Sequence, residues 1–175
     1  QAAQFIAARH PSLDPDIAYR FGLLHDIGRR VGVTDMRHAL DGYIYLCSRG
    51  FPRAARICLT HSFPVKDVRA GSGGWDCADH ELRFVADFLS SIEYDDYDRL
   101  LQIADALATS TGFCLLEKRL VDVALRRGTN AFTLAKWRAY MQLIEEFEVV
   151  IGSSIYSLLP GIVSSTFGFD TSTAP

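Results

Sequence analysis

Five residues that can bind a metal ion occur among apolar residues at widely spaced positions. They are two neighbours, His25 and Asp26, and three later residues, His38, His61 and Asp105. Imidazole and carboxylate groups are costly to bury in a helical core unless they are paired or bound to an ion. A shared divalent ion would satisfy all five, because helical bundles build metal sites from side chains on facing helices. This donor set favours an ion of the iron, manganese or zinc class over calcium.

Each of these residues also has an interpretation without a metal. His25 and Asp26 could form a pair at a helix C-terminus, and Asp105 could cap a neighbouring helix. His38 could face solvent from a first helical turn, and His61 could interact with a helix dipole. Adjacent residues on a regular helix point about 100° apart. A common ion for His25 and Asp26 therefore requires that the geometry relaxes at the last turn of their helix.

The elements that must position these groups are helices. Apolar residues recur with the helical period, and no segment alternates as a strand does, which predicts an all-α fold of seven or eight helices. Asp14 and Pro15 predict the start of the second helix, and Thr34 or Asp35 is expected to cap the third. The predicted helices cover residues 1–9, 15–26, 35–48, 52–61, 78–91, 94–107, 114–126 and 134–151.

Residues 62–77 have no periodicity and contain three glycines between Gly71 and Gly74. A loop of this length predicts a lid or a disordered flap. In the last predicted helix, Trp137, Tyr140, Ile144 and Phe147 are expected to form part of the core or the face of a homodimer.

Length and composition indicate a single soluble domain. The chain has 175 residues, of which 49% are hydrophobic and 22% charged. We expect one helical domain over residues 1–160 and a loosely ordered tail over residues 161–175. The net charge of −3 disfavours a nucleic acid as partner. The sequence shows no apolar run that could span a membrane and no signal peptide, and its four cysteines form no CxxC pair, so we expect a cytoplasmic protein with reduced, buried thiols.

Two motifs resemble the signature of the HD superfamily of metal-dependent phosphohydrolases. His25-Asp26 is followed by Ile27-Gly28, and Asp105 ends the segment Leu-Gln-Ile-Ala-Asp. His38, in the pattern HxxxG with Gly42, and His61 resemble the two extra histidines of the binuclear subgroup. That subgroup includes HD-class diadenosine tetraphosphate hydrolases and HD-GYP phosphodiesterases. The resemblance covers roughly residues 1–125 and implies a multi-helix HD-domain bundle with one or two divalent ions in its core.

The sequence departs from the family pattern at three points. The family's first histidine lies on the preceding helix, and residues 1–9 contain none, so either it falls a few residues before Gln1 or the site lacks it. Arg29 occupies a position where the family often has lysine. The Gly-Tyr-Pro signature is absent, which disfavours a cyclic dinucleotide as substrate.

The resemblance implies hydrolysis of a phosphate ester or anhydride in a nucleotide or another small phosphorylated molecule. Asp26 is the expected catalytic residue, because its carboxylate could bridge two ions while they activate water and neutralise phosphoryl charge. Arg29, Arg30 and Lys66 could bind substrate phosphate, or they could be solvated surface charges. The alternative is a non-catalytic HD domain that binds a nucleotide or a protein partner in signalling.

Overall fold

The fold is all-α, as the periodicity predicted, and the computed structural model describes residues 1–169. The α-helices in this range are α1 (Ala2–Ala7), α2 (Pro15–Leu24), α3 (Arg37–Ser48), α4 (Pro52–Thr60), α5 (Asp79–Ser91), α6 (Asp96–Ala106), α7 (Leu116–Arg127), α8 (Thr133–Ile151) and α9 (Ile162–Phe167). Short 3₁₀ helices cover Ile27–Val31, Val68–Ala70 and Ile155–Leu158. The strands β1 (Ala108–Thr109) and β2 (Gly112–Phe113) pair antiparallel in a small hairpin that the sequence analysis did not predict.

The start of α2 is fixed by local sequence. The Asp14 carboxylate accepts hydrogen bonds from the backbone N–H groups of Asp16 and Ile17, at 2.8 and 3.1 Å. Pro15 occupies the first helical position, where its missing N–H costs nothing. The prediction of this cap is confirmed.

The start of α3 differs from the prediction, because neither Thr34 nor Asp35 caps it. The helix begins at Arg37, and no side chain of its own segment caps it. The Asp76 carboxylate instead accepts hydrogen bonds from the N–H groups of Asp35 and Arg37, at 2.9 and 2.8 Å. The cap therefore comes from a residue that is distant in the sequence.

The glycine-containing loop over residues 62–77 is anchored at several points. The Trp75 indole stacks on Phe63, with 6.0 Å between the ring centroids, and its N–H donates to the Val68 carbonyl at 2.9 Å. From the segment before α8, the Asn130 amide donates to the carbonyls of Arg69 and Gly71. These contacts fix the loop internally and hold it against the segment before α8.

One large apolar core joins α1, α2, α4, α6, α7 and α8, and a smaller core lies between α3, α4 and α5. On α8, Tyr140, Ile144 and Phe147 are buried in the large core, so this face contributes to the fold of the single chain. The helix α9 lies in the segment expected to be a loosely ordered tail, and residues 170–175 are outside the described residues. The domain boundary at residue 160 stays a prediction.

Two expectations about the whole chain can be compared with the structure. Over residues 1–169, no helix combines the length and the apolar character needed to cross a membrane. All four cysteines are free thiols, and Cys58 and Cys114 are buried as expected. Cys47 is exposed and Cys77 is partly exposed, so the expectation of burial was wrong for these two.

Candidate metal centre

His25 and Asp26 lie where α2 ends, and this position allows two adjacent residues to face the same cluster. The helix closes at Leu24, His25 caps its C-terminus, and Asp26 leads into the 3₁₀ helix Ile27–Val31. The change of helix type turns both side chains to the same side. Candidate ligand atoms of His25, Asp26 and His61 lie within 4.8 Å of one another.

The Asp26 carboxylate is the centre of a cluster that contains all five predicted residues. The Nε2 atoms of His38 and His61 lie 3.2 and 3.6 Å from Asp26 Oδ1. The Nε2 atom of His25 lies 3.9 Å from Asp26 Oδ2 and 3.5 Å from Asp105 Oδ1. These groups come from the end of α2, from α3, from the end of α4 and from α6. The structure thus brings the five residues together, and their role as metal ligands stays a prediction.

Backbone contacts decide which nitrogen of each imidazole carries the proton. The Nδ1 atom of each histidine faces a carbonyl oxygen: Gly22 for His25 at 2.8 Å, Asp35 for His38 at 2.5 Å, and Cys58 for His61 at 3.0 Å. A carbonyl oxygen can only accept, so Nδ1 is the donor in each pair. In the neutral imidazole, Nε2 then carries the lone pair, and each of the three Nε2 atoms faces the cluster, which is the arrangement that metal-binding histidines use.

A divalent ion fits this donor set. Asp26 Oδ1 is buried and has no hydrogen-bond partner among the described residues. The Nε2 atoms of His38 and His61 lie 3.2 and 3.6 Å from this oxygen, and the Nδ1 atoms of both imidazoles already face backbone carbonyls. A buried carboxylate oxygen without a partner is costly, and a cation would supply the missing positive charge. Imidazole and carboxylate donors suit iron, manganese or zinc.

The electrostatics of the cluster keep both carboxylates ionised. Burial opposes the charge on Asp26, but the three imidazoles and Arg29 hold its pKa well below the usual range. Burial likewise opposes the charge on Asp105, yet the contact with His25 lowers the pKa of Asp105 to about 2. Burial opposes protonation of His25, whereas Asp105 and Asp26 raise its pKa to about 9. Burial and the nearby charge of His25 lower the pKa of His61 to about 4. A metal ion would therefore have to displace a proton from His25.

Two glycines allow the segment after Asp26 to lie against α3. A Cβ atom at Gly28 would stand 1.9 Å from the carbonyl oxygen of His38 and 2.7 Å from the nitrogen of Gly42. A Cβ atom at Gly42 would stand 2.9 Å from the Cys58 sulfur. The glycines of the two motifs thus face each other, and they set the distance between Asp26 and His38.

The three predicted phosphate-binding residues occupy different surroundings. Arg29 donates from Nε to Asp26 Oδ2 at 2.8 Å, and its Nη2 lies 3.3 Å from Nε2 of His38. Arg30 instead stacks on the Tyr45 ring at 3.9 Å. Lys66 donates to the Ile92 carbonyl at 2.6 Å, and it pairs with Glu93. The structure brings only Arg29 to the cluster, and a substrate-binding role for each of the three stays a prediction.

Two cavities border the cluster and share Asp105. The first, which we call the α7–α8 cavity, has a volume of about 180 Å³, and its wall includes His38, Ser72, Asp105, Arg119, Lys136 and Tyr140. The second, the hairpin cavity, has a volume of about 580 Å³, and its wall includes Gly22, His25, Asp105, Thr109, Phe113 and Pro160.

Lys136 is a candidate functional residue that the sequence analysis did not identify. Its side chain is 8% exposed, and it lines the α7–α8 cavity. One signal was present in the sequence, because Lys136 precedes Tyr140, Ile144 and Phe147 at helical spacing and so belongs to the apolar face of α8. A lysine on such a face needs a partner or a ligand.

Comparison with known families identifies one family that the sequence matches. The sequence matches the family described as HD domain over residues 1–110, which is more than half of the chain and includes all five clustered residues. HD domains bind divalent metals. Comparisons with curated proteins and with solved structures gave no significant match. On the strength of the family match and of the His–Asp cluster at its expected place, the chain belongs to the HD domain family.

Proposed function

We propose that this chain is a metal-dependent phosphohydrolase that cleaves a phosphate ester or anhydride in a small molecule, with a nucleotide as the favoured class. One observation carries the proposal. Five metal-competent side chains from four parts of the chain form one cluster, and within it Asp26 Oδ1 is a buried atom without a hydrogen-bond partner in residues 1–169. HD-domain membership supports the same reaction class.

The residues of the cluster would have different roles in binding the metal and the substrate. The imidazole of His25 and the carboxylates of Asp26 and Asp105 would hold a divalent ion. Such an ion lowers the pKa of water and neutralises charge on phosphoryl oxygens. Arg29 contacts Asp26, lines the α7–α8 cavity and has a side chain that is 44% exposed. Its guanidinium could therefore exchange the carboxylate for a substrate phosphate, to which it can donate two parallel hydrogen bonds.

We also propose a binuclear centre with the bridging carboxylate at Asp26. The two oxygens of this carboxylate face different partners: Oδ1 is near His38 and His61, whereas Oδ2 is near His25. In this arrangement, His38 and His61 would hold the second ion. Two ions at these residues would share the charge that develops on the phosphoryl group.

The hairpin cavity is the proposed place for the organic part of the substrate. Its volume of about 580 Å³ lies within the ~300–1,000 Å³ range of small-molecule sites. His25 and Asp105 form part of its wall, and most of its other walls are apolar. A nucleoside lying there would place its phosphate next to the cluster.

The proposal is tested by metal content and hydrolysis in the same preparations. The full chain would be loaded with manganese, iron or cobalt and assayed on nucleoside mono-, di- and triphosphates. Asp26→Asn should lose bound metal and hydrolysis together, whereas Asp87→Asn, on the exposed face of α5, should retain both. Metal binding without hydrolysis of any substrate would instead favour the non-catalytic HD domain.

The binuclear centre is tested by stoichiometry. The wild-type chain should hold about two equivalents of metal, and His38→Ala and His61→Ala should each hold about one equivalent fewer. If the stoichiometry is one in the wild type and in His38→Ala, then His38 binds no ion and the centre is mononuclear.

A further inference from the structure

The wall of the α7–α8 cavity contains more positively than negatively charged side chains, whereas the net charge of the whole chain is negative. The net charge of the sequence is −3. The cavity wall nevertheless contains five cationic side chains, from Arg29, Arg119, Arg126, Arg127 and Lys136, and two carboxylates, from Asp35 and Asp105. Three of the cations lie on α7 and one on α8, beyond residue 110, where the family match ends. A concave surface of this charge attracts an anion.

Lys136 is the cation of this cavity that lacks a charged partner. Arg29 pairs with Asp26, Arg127 pairs with Asp35, and both Arg119 and Arg126 pair with Asp122. Within residues 1–169, no carboxylate oxygen lies within 4.0 Å of Lys136 Nζ. An ammonium group that is removed from water without an ion-pair contact is costly, so a bound anion would be favourable there.

The surroundings of Lys136 fix its ammonium group in place. Nζ donates to the Ala70 carbonyl at 3.2 Å and to the Ser72 hydroxyl at 3.0 Å. An ammonium group has three donors, so one remains for a ligand in the cavity. Burial lowers the pKa of Lys136 to about 8, against the opposing effect of the Asp105 carboxylate, and the group stays mainly protonated at neutral pH. The donor is thus charged and already oriented.

The size of the cavity limits what it can hold. A volume of about 180 Å³ is below the ~300–1,000 Å³ that whole small-molecule ligands occupy. The cavity therefore suits one phosphate-sized group. His38 and Asp105 of the cluster also line it, so this group would be continuous with a substrate bound at the metal centre.

We propose that the α7–α8 cavity is an anion subsite, in which Lys136 binds a second phosphate group of the substrate, distinct from the phosphate that is hydrolysed. The substrate class rests on the proposed hydrolase function, whereas the anion site itself does not. The subsite would favour substrates with at least two phosphate groups over monophosphates.

The anion site is tested first on the chelator-treated full chain, without any reaction. Inorganic phosphate is titrated while amide chemical shifts are followed by NMR. Shifts should change at residues 70–73 and 136, and Lys136→Met should weaken phosphate binding about ten- to hundredfold, as expected for loss of a hydrogen bond to a charged group. Lys118→Met is the matched control, since this lysine donates to the carbonyls of Ser165 and Thr166 away from the cavity.

A second variant separates charge from loop anchoring. Ser72→Ala removes one contact between Lys136 and the loop but keeps the ammonium charge. It should retain most of the phosphate affinity that Lys136→Met loses. Equal phosphate binding by the wild type and Lys136→Met, or an equal loss in Ser72→Ala and Lys136→Met, would overturn the anion site.

The substrate assignment is tested on the metal-loaded enzyme. Lys136→Met should raise KM for a nucleoside diphosphate about tenfold or more and leave KM for the monophosphate unchanged. An equal effect on both substrates would overturn the role in substrate selection. If no substrate is hydrolysed but phosphate binding still depends on Lys136, the proposed function fails and the anion site stands.

Discussion

At the scale of single residues, two glycines without side chains are as important for the geometry of the cluster as the metal-competent groups. Gly28 and Gly42 lie against each other, and this contact brings the backbone after Asp26 to the first turn of α3. His38 projects from that same turn. Any Cβ atom at Gly28 would overlap backbone atoms, which cannot move aside as a flexible side chain can.

Gly28→Ala should therefore destabilise the fold and distort the cluster. We expect the free energy of unfolding to fall by about 3 kcal/mol, at the upper end for an overpacked site, and metal affinity to fall with it. Gly22→Ala is the control, because a Cβ atom there would meet only Leu101 at 4.0 Å, in the interior of α2. Alanine favours a helix, so this control should be neutral or stabilising.

Urea unfolding and metal analysis of both variants would check this prediction. Normal stability and metal content in Gly28→Ala would show that the segment after Asp26 can move away from α3 without loss.

Some candidate functional residues could be identified from the sequence, and others could not. His25, Asp26 and Asp105 were identifiable because metal-competent groups among apolar residues require a partner wherever they fold. Lys136 was not identified, because lysine on a helix usually extends its charge into water. Its burial depends on loop 70–72, whose carbonyl and hydroxyl groups reach it from more than 60 positions away in the sequence.

At the scale of elements, a buried polar network connects α4 to α6. Asp98 is fully buried and accepts hydrogen bonds from the Arg56 guanidinium and the Thr60 hydroxyl. The Gln102 amide donates to the carbonyls of Thr60 and Phe63, at 3.1 and 3.3 Å. These two helices lead to His61 and carry Asp105, so the network sets the position of one proposed metal ligand relative to another.

Asp98→Ala should cost about 3 kcal/mol of stability, because it leaves Arg56 and Thr60 without their acceptor. Asp96→Ala is the control, since this carboxylate is exposed in the first turn of the same helix and should cost less than about 1 kcal/mol. Chemical denaturation gives both values. Similar losses in the two variants would mean that the network contributes little beyond the charge at the helix start.

The elements show where local sequence was sufficient and where it was not. The cap of α2 was predictable because Asp14 contacts N–H groups only two and three residues away. The cap of α3 was not, because Asp76 reaches it across the glycine-containing loop. The hairpin of β1 and β2 was also missed, since two-residue strands are too short to show an alternating pattern.

At the scale of the whole molecule, the proposed metal centre joins four segments that are far apart in the sequence. Ligand binding to the folded state alone stabilises a protein. At a free metal concentration about 100 times its Kd, removal of the ion should lower Tm by roughly 5–10 °C for a chain of this size. Readdition of manganese or iron should restore Tm.

Differential scanning calorimetry with and without a chelator would measure this effect. Asp26→Asn is the informative control, because a chain that holds no metal should have a Tm that does not depend on the chelator. An unchanged Tm in the wild-type chain would contradict a metal centre that is coupled to folding.

The order of the functional groups along the chain has a consequence for synthesis. The proposed metal ligands end at Asp105, whereas the cationic wall of the α7–α8 cavity extends to Lys136. At about 5–20 residues per second, a ribosome would release the last metal ligand roughly 2–6 seconds before the anion anchor. A nascent chain would therefore contain all of its proposed metal ligands before it contains the lysine proposed to distinguish one phosphate compound from another.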